Sequence, residues 1–408
     1  MTPDSLPRDP APDATLALLR QGYRFIPDRC ARFGGDAFRT RLLGREVLCF
    51  SGPRGVRLLY GAGGLTRQGA MPPTVLRLLQ DKGSVQQLEG AAHRHRKALF
   101  LRLLVEEEAG ETLATDFRRA WAERLRQQGE TRVLDSASDT LAEVACRWVG
   151  FGPQISADAD LRRALYLMSA RTGSVGPRVL MALLRRRRVE RRLARALDTL
   201  APGSPGHRIA RFAEDGRPLP PEVAVVEILN LLRPIVAVGR YIAFAARILV
   251  VEPRWIPWLR AAEDPELEAF CEELRRTSPF FPMTAALTTR PVRHEGLDLP
   301  EGQWLLADLW GPMQAASAFA RPEDFDPARG QSWRGQDSAF APQGAGDLAS
   351  THRCPGEKVT LALMAAGLKV LCRDLDWHAP PQDLSVALNR VPARPESGVI
   401  LSGITPRA

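Results

Sequence analysis

The sequence predicts a mainly α-helical fold with a small β-sheet region, laid out as one domain over residues 1–408. Three observations predict it. Leu361, Met364, Leu368, Leu371 and Leu375 recur at three- and four-residue steps, the stripe of an amphipathic helix. Two further helical runs cover 221–250, opened by Pro220-Pro221, and 265–277. Strand-like runs are short and sit at 46–50 and 399–404, so the sheet is small and packs on a helical body. Proline and glycine thicken in 201–221 and 320–347, which read as loops. There is no internal repeat and no compositional break.

Composition narrows the class. Lysine and arginine number 56 against 47 acids, a net charge of +9, with 45% apolar and 25% charged residues. That balance suits a globular chain and excludes a disordered one. The first residues, MTPDSLPRDPAPDATLALLR, lack the basic start and apolar core of a signal peptide. No uninterrupted apolar stretch reaches the roughly 18 residues of a spanning helix, so no stable membrane insertion is expected. Six cysteines (Cys30, Cys49, Cys146, Cys271, Cys354, Cys372) are scattered without a C-x-x-C pair, against a zinc site or a disulfide framework. A cytoplasmic setting follows. The basic run at 185–195, RRRRVERRLAR, is open to two readings, a nucleic-acid or anionic-membrane patch and a solvated helix face. It lacks interleaved aromatics for base stacking, so the solvated face is preferred and no nucleic-acid partner is expected.

Chemistry concentrates near the C-terminal end. Cys354 follows a long polar, glycine-containing loop and precedes Pro355-Gly356, after which the amphipathic helix begins. A thiol at a helix N-terminus is favoured as thiolate by the dipole and the free N–H groups, which lower its pKa. Such a sulfur can ligate iron, act as a nucleophile, or stay inert. Glu273 and Arg276 stand at i, i+3 on one helix face, 81 residues before Cys354. Between them, Phe325-Asp326-Pro327-Ala328-Arg329 can present a second arginine to that pair.

The order Glu-x-x-Arg, Phe-x-Pro-x-Arg, then Phe…Gly…His-x-Cys-x-Gly resembles the cytochrome P450 superfamily. The resemblance implies the cytochrome P450 fold, with haem b (iron protoporphyrin IX) held through Cys354 and the Glu–Arg–Arg set locking the fold beneath it. The segment from Phe340 to Cys354 is longer than the usual ligand loop. The segment after Asp308-Leu309-Trp310-Gly311 reads Pro-Met-Gln-Ala-Ala-Ser where the family usually has an Asn-His-Asp type. The central helix, ILNLLRPIVAVGRYIAFAARIL, lacks the acid–alcohol pair that delivers protons in oxygen-activating members. Ala109-Gly110-Glu111-Thr112 is a decoy for that motif, one residue short and far too early in the chain.

In its place stand Arg233 and Pro234. Arg233 lies in a run of Ile228, Leu229, Leu231, Leu232, Ile235 and Val236, with no acid one turn away; Glu227 is six residues off on another face. A buried cation is costly unless neutralised, here by a distant acid or a ligand anion. Pro234 removes a helix hydrogen bond and bends the helix. This Arg-Pro, the Pro-Gln-Gly-x-Gly-Asp loop and His-Arg-Cys-Pro-Gly-Glu look like the bacterial fatty-acid peroxygenase branch. Gly22-Tyr23-Arg24-Phe25-Ile26, Val175-Gly176-Pro177-Arg178 and Leu88-Glu89-Gly90 before His93-Arg94-His95-Arg96-Lys97 add to the match.

The resemblance implies a long-chain fatty acid as substrate, hydrogen peroxide as oxidant and no redox partner. The substrate carboxylate, held by Arg233, would serve as general acid–base in place of the missing pair, and hydroxylation would fall at the α (or β) carbon. His93, Lys97, His352 and Arg67 match haem-propionate positions. Pro234, Gln86, Phe280, Phe281 and Val175 match the substrate channel, with Gln86 where alkene-forming relatives tend to carry histidine. Rival readings are a decarboxylase giving terminal alkenes, a monooxygenase fed by redox partners, and a non-catalytic haem or fatty-acid carrier.

Overall fold

In the computed structural model, residues 2–81, 83–173, 176–329 and 338–407 are described. The architecture is a helical body with a five-stranded sheet, a three-stranded sheet and two two-stranded hairpins. A central helix, Pro221–Val251, runs through it and extends the expected run by one residue. Its N-terminal prolines suit the first turn, where N–H groups have no helical acceptor. By length and composition it could cross a membrane, but 78% of its most apolar stretch is buried inside the protein. Apolar residues on all sides of a helix require that burial.

The largest core cluster wraps this helix. Leu229, Leu232 and Val236 pack with Leu141 and Ala145 of the helix Val133–Val149 and with Leu363 and Met364 of the helix Glu357–Lys369. Gly239 permits the close approach, since a Cβ there would collide with Ser138. Phe117 and Trp121 stack at 5.3 Å and close the far side.

The larger sheet has five strands, in the order Ala37–Leu42, Arg45–Phe50, Trp304–Asp308, Met283–Thr288, Leu65–Thr66. Its one parallel pair sets Leu305 beside Leu48; the other pairs are antiparallel. The smaller sheet orders Leu375–His378, Ile400–Pro406, Glu130–Arg132. Both strand-like runs of the sequence are therefore strands. The leucine stripe ends sooner than its period suggests: the helix stops at Lys369, a π turn covers Val370–Asp374, and Leu375 opens a strand. The expected loop at 201–221 holds a short helix, Pro205–Ala210, and a hairpin pairing Ala213–Glu214 with Arg217–Pro218.

Candidate active site

Cys354 is set by the turn that opens the helix Glu357–Lys369. Its own N–H donates to the Gln343 carbonyl at 3.0 Å, while the Gly356 N–H donates to Sγ at 3.4 Å. The Gln343 side-chain amide donates to Sγ at 3.6 Å and to Thr360 Oγ1 at 3.1 Å. The expected lowering of the thiol pKa does not hold in the protein alone. Burial pushes it up, and the Gly356 and Gln343 donors, with the Lys97 ammonium, offset only part of that.

Beneath this turn the Glu–Arg–Arg set forms as expected. Arg276 meets Glu273 with two hydrogen bonds, 2.9 and 2.7 Å, and Arg329 reaches Glu273 at 3.4 Å. Arg276 also donates to the carbonyls of Met313 (2.9 Å) and Asp324 (3.0 Å). A second buried chain escaped sequence reasoning: Arg275 pairs with Glu272 at 2.6 Å and with Glu357 at 3.1 Å, and Glu357 with Arg353 at 2.9 Å. It ties the Glu273 helix to the start of the Cys354 helix.

Between Cys354 and the central helix lies a cavity of about 340 Å³. Gln86, Arg233, Pro234, Phe280, Phe281, Arg67, His93, Lys97, His352 and Cys354 all line it. No aspartate or glutamate lines it among the described residues. Ten of the eleven expected site residues therefore converge on one space; Val175 lies outside the described residues. Phe280 stacks on Tyr241 at 4.3 Å and meets Phe281 edge-on at 5.0 Å.

The cations expected to hold propionates are partly engaged by protein. Lys97 donates to the carbonyls of Thr351 and Arg353, the latter at 2.7 Å, bracing the loop before Cys354. Arg67 donates to the carbonyls of Ala285 (2.9 Å) and Leu59 (3.2 Å) and to Thr284 Oγ1. His93 and His352 lie ring to ring at 4.3 Å, and His352 meets Glu89 at 3.3 Å. Burial pushes His93 down to about 4 and Lys97 to about 8.

Arg233 is 3% exposed and forms no ion pair among the described residues. Its Nε donates to the Leu229 carbonyl at 3.0 Å, Nη1 to the Leu78 carbonyl at 2.5 Å, and Nη2 to Asn230 Oδ1. A guanidinium has five N–H groups, so one on each terminal nitrogen is left for a ligand. Burial, then the nearby Arg186, lowers its pKa to about 9, so the cation persists at neutral pH. Asn230 also donates to Glu227 at 2.7 Å and to Gln86 at 3.0 Å. Glu227 is buried, pairs with Arg96 at 2.9 Å and accepts from the Val85 N–H at 2.7 Å. Glu227 thus reaches Arg233 through Asn230, although the two do not touch. The i, i+3 steps 227, 230, 233 carried that signal, because a polar residue inside an apolar run needs a partner.

The geometry has counterparts. Residues 255–397 match the family model described as Cytochrome P450. Cytochrome P450 78A7 of Arabidopsis thaliana is 30% identical over 138 residues, 31% of this chain and 25% of that protein. The match thus spans about a quarter of that plant relative's length. The solved structure of a point mutant of cytochrome P450SP alpha is 33% identical with TM-score 0.92, covering 98% of this chain and 100% of that one. Cytochrome P450EX alpha, solved with myristic acid, is 32% identical with TM-score 0.92, covering 98% and 99%.

The chain belongs to the fatty-acid peroxygenase branch of the cytochrome P450 superfamily.

A cytochrome P450 carries haem on a cysteine thiolate, and the residues of this one fit that group. Cys354 Sγ faces the cavity with two N–H donors already aimed at it, the pattern that favours a thiolate. Arg67, His93, Lys97 and His352 gather on the same side with no acid lining the space, which suits a group bearing two carboxylates. Phe100, Leu104, Ala237 and Val359 supply apolar wall for a flat ring.

Proposed function

We propose that this protein oxidises long-chain fatty acids with hydrogen peroxide, inserting a hydroxyl close to the carboxyl end. The observation that carries the reading is Arg233, a buried cation on the cavity wall opposite Cys354, with neutral partners only and two N–H groups to spare. A carboxylate presented there gains two parallel charge-assisted hydrogen bonds and neutralises a charge that is otherwise costly to bury.

Haem b, held through Cys354 and flanked by His93, Lys97, His352 and Arg67, supplies the oxidising chemistry when bound. The protein's part is placement. Arg233 fixes the carboxylate, and Pro234 beside it and Gln86, tied to Asn230, border the same pocket. Phe280 and Phe281 line the same cavity and would border the chain beyond the carboxylate. The carboxylate takes a proton from one peroxide oxygen and returns it to the oxygen that leaves as water. A C–H and an O–O bond break, C–O and O–H bonds form, and the carbon is oxidised while peroxide is reduced. Because the substrate brings its own acid–base group, effective molarity replaces the acid–alcohol pair absent from the helix. Such a reaction needs no redox partner and suits a cytoplasmic protein.

Hydroxylation is expected over decarboxylation because the neutral amide of Gln86 cannot exchange a proton as an imidazole does. The α carbon is favoured over β. Incubating purified holoenzyme with myristate and peroxide, with mass spectrometry of the products, tests the reading. Hydroxy acid formed without reductant supports it; turnover only with reductant and dioxygen, or none, contradicts it.

A further inference from the structure

The arginine-rich helix Pro177–Arg195 carries a face that the reaction leaves unused. Val179, Ala182, Arg186, Val189 and Leu193 form its buried side. On the opposite side Leu180, Met181 and Leu184 are 59%, 53% and 48% exposed. Arg187, Arg188, Arg191 and Arg195 continue that exposed stripe at helical spacing. The helix holds eight arginines and a single acid, Glu190, which turns to the buried Arg186 at 2.6 Å. Arg192 pairs with Asp158 of the preceding helix. The apolar half and the cationic half are thus consecutive along one surface.

A second apolar patch, of mixed charge with Asp13 beside it, lies near the N-terminus. Leu16, Leu19 and Leu43 are 56%, 40% and 58% exposed, with exposed Arg20 and Arg41 beside them in sequence. The two patches hold six of the seven large apolar side chains exposed among the described residues. Residues 71–79 connect them. Met71, Ala17 and Leu18 all pack against one core cluster at one end, and Leu78 packs with Val179 and Ala182 at the other. Met71, Leu79 and Gln80 also line the cavity, so the segment between the two patches frames one of its walls.

We infer that this face docks peripherally on an anionic lipid surface, the leucines entering the interface and the arginines meeting the headgroups. A solvated helix face accounts for the arginines but not for clustered exposed leucines. A nucleic acid leaves the leucines unexplained, and a second copy would set like charges against each other. Cationic and apolar side chains together fit an anionic interface. The use of this docking, supplying a fatty acid to the framed cavity, rests on the proposed function. Vesicle binding is measured without turnover, so the two readings fail separately.

Holoenzyme is sedimented with phosphatidylglycerol vesicles and, separately, with phosphatidylcholine vesicles. The expected result is binding to the first, weakened by salt, and little to the second. Each cation at an anionic surface raises partitioning about fivefold, so Arg187→Gln with Arg191→Gln should lower it roughly 25-fold. Leu180→Ser with Leu184→Ser should lower it as well, with the charge intact. The same charge loss at Arg126 and Arg147, on other elements, should leave partitioning within about twofold of wild type. Equal binding to both vesicle types, no binding, equal loss in the Arg126 and Arg147 control, or capture of duplex DNA in place of vesicles overturns the inference.

Discussion

Arg233 joins three facts at one side chain: full burial, neutral partners and a place on the cavity wall. Replacing it with alanine removes the cation proposed to orient substrate and changes no residue at Cys354. Arg233→Ala should depress fatty-acid turnover by about a hundredfold, equivalent to ~2.7 kcal/mol, with the haem-thiolate spectrum retained; spectroscopy and product formation on one sample check both. Its neighbour Gln86 bears on the outcome rather than the rate. Gln86→His places a titratable ring where a neutral amide now accepts from Asn230 at 3.0 Å. The terminal-alkene fraction from myristate should rise, read by gas chromatography; an unchanged ratio of alkene to hydroxy acid would remove Gln86 from that role. The sequence exposed Arg233 because a cation stood alone in an apolar run. It hid Arg96, whose ion pair with Glu227 comes from a helix distant in the chain.

The element below Cys354 is held by buried charge. Arg276 is 0% exposed and depends on Glu273 for its only carboxylate partner among the described residues. Removing one member of such a pair typically costs ~3–5 kcal/mol, because the other charge stays buried. Glu273→Ala should therefore lower the melting temperature sharply and reduce haem retention, whereas an exposed pair such as Arg126–Glu123 should change either little; thermal unfolding of the two variants makes the comparison. This lock was legible, since Glu-x-x-Arg and Phe-x-Pro-x-Arg fixed all three members. The central helix was legible too, its apolar run and opening prolines marking both length and burial. The end of the Cys354 helix was not. Leu375 keeps the helical period yet opens a strand, because pairing with Pro406 across the small sheet overrides the local pattern. The thiol's environment was also beyond reach, since dipole and burial act in opposite directions and only packing says which wins.

At the scale of the whole molecule, the five-stranded sheet meets the helical body near Asp308, a buried acid. Its carboxylate accepts from Ser51 at 2.9 Å and from the Trp310 and Gly311 N–H groups at 3.0 and 2.9 Å, yet burial pushes its pKa from 3.8 up to about 7. A folded-state pKa above the unfolded one means the folded protein holds the extra proton. Stability from this group is full below about 4 and lost as pH rises through about 7, a few kcal/mol in all. Asp308→Asn should flatten that slope, which denaturant titrations across the interval would show; an unchanged slope places the pH dependence elsewhere. Arg67, Lys97 and the two histidines His93 and His352 reach the cavity from three separate segments, while the central helix contributes one arginine, Arg233. In the proposed reaction the substrate's own carboxylate, held by Arg233, does the proton work for which this helix brings no acid to the cavity among the described residues. Supplying that carboxylate separately tests it most directly: wild-type holoenzyme is given peroxide and an uncharged aromatic, with and without a short acid such as acetate. Oxidation of the aromatic only when the acid is present, and not in Arg233→Ala, is the predicted result; equal oxidation without any acid would contradict the account.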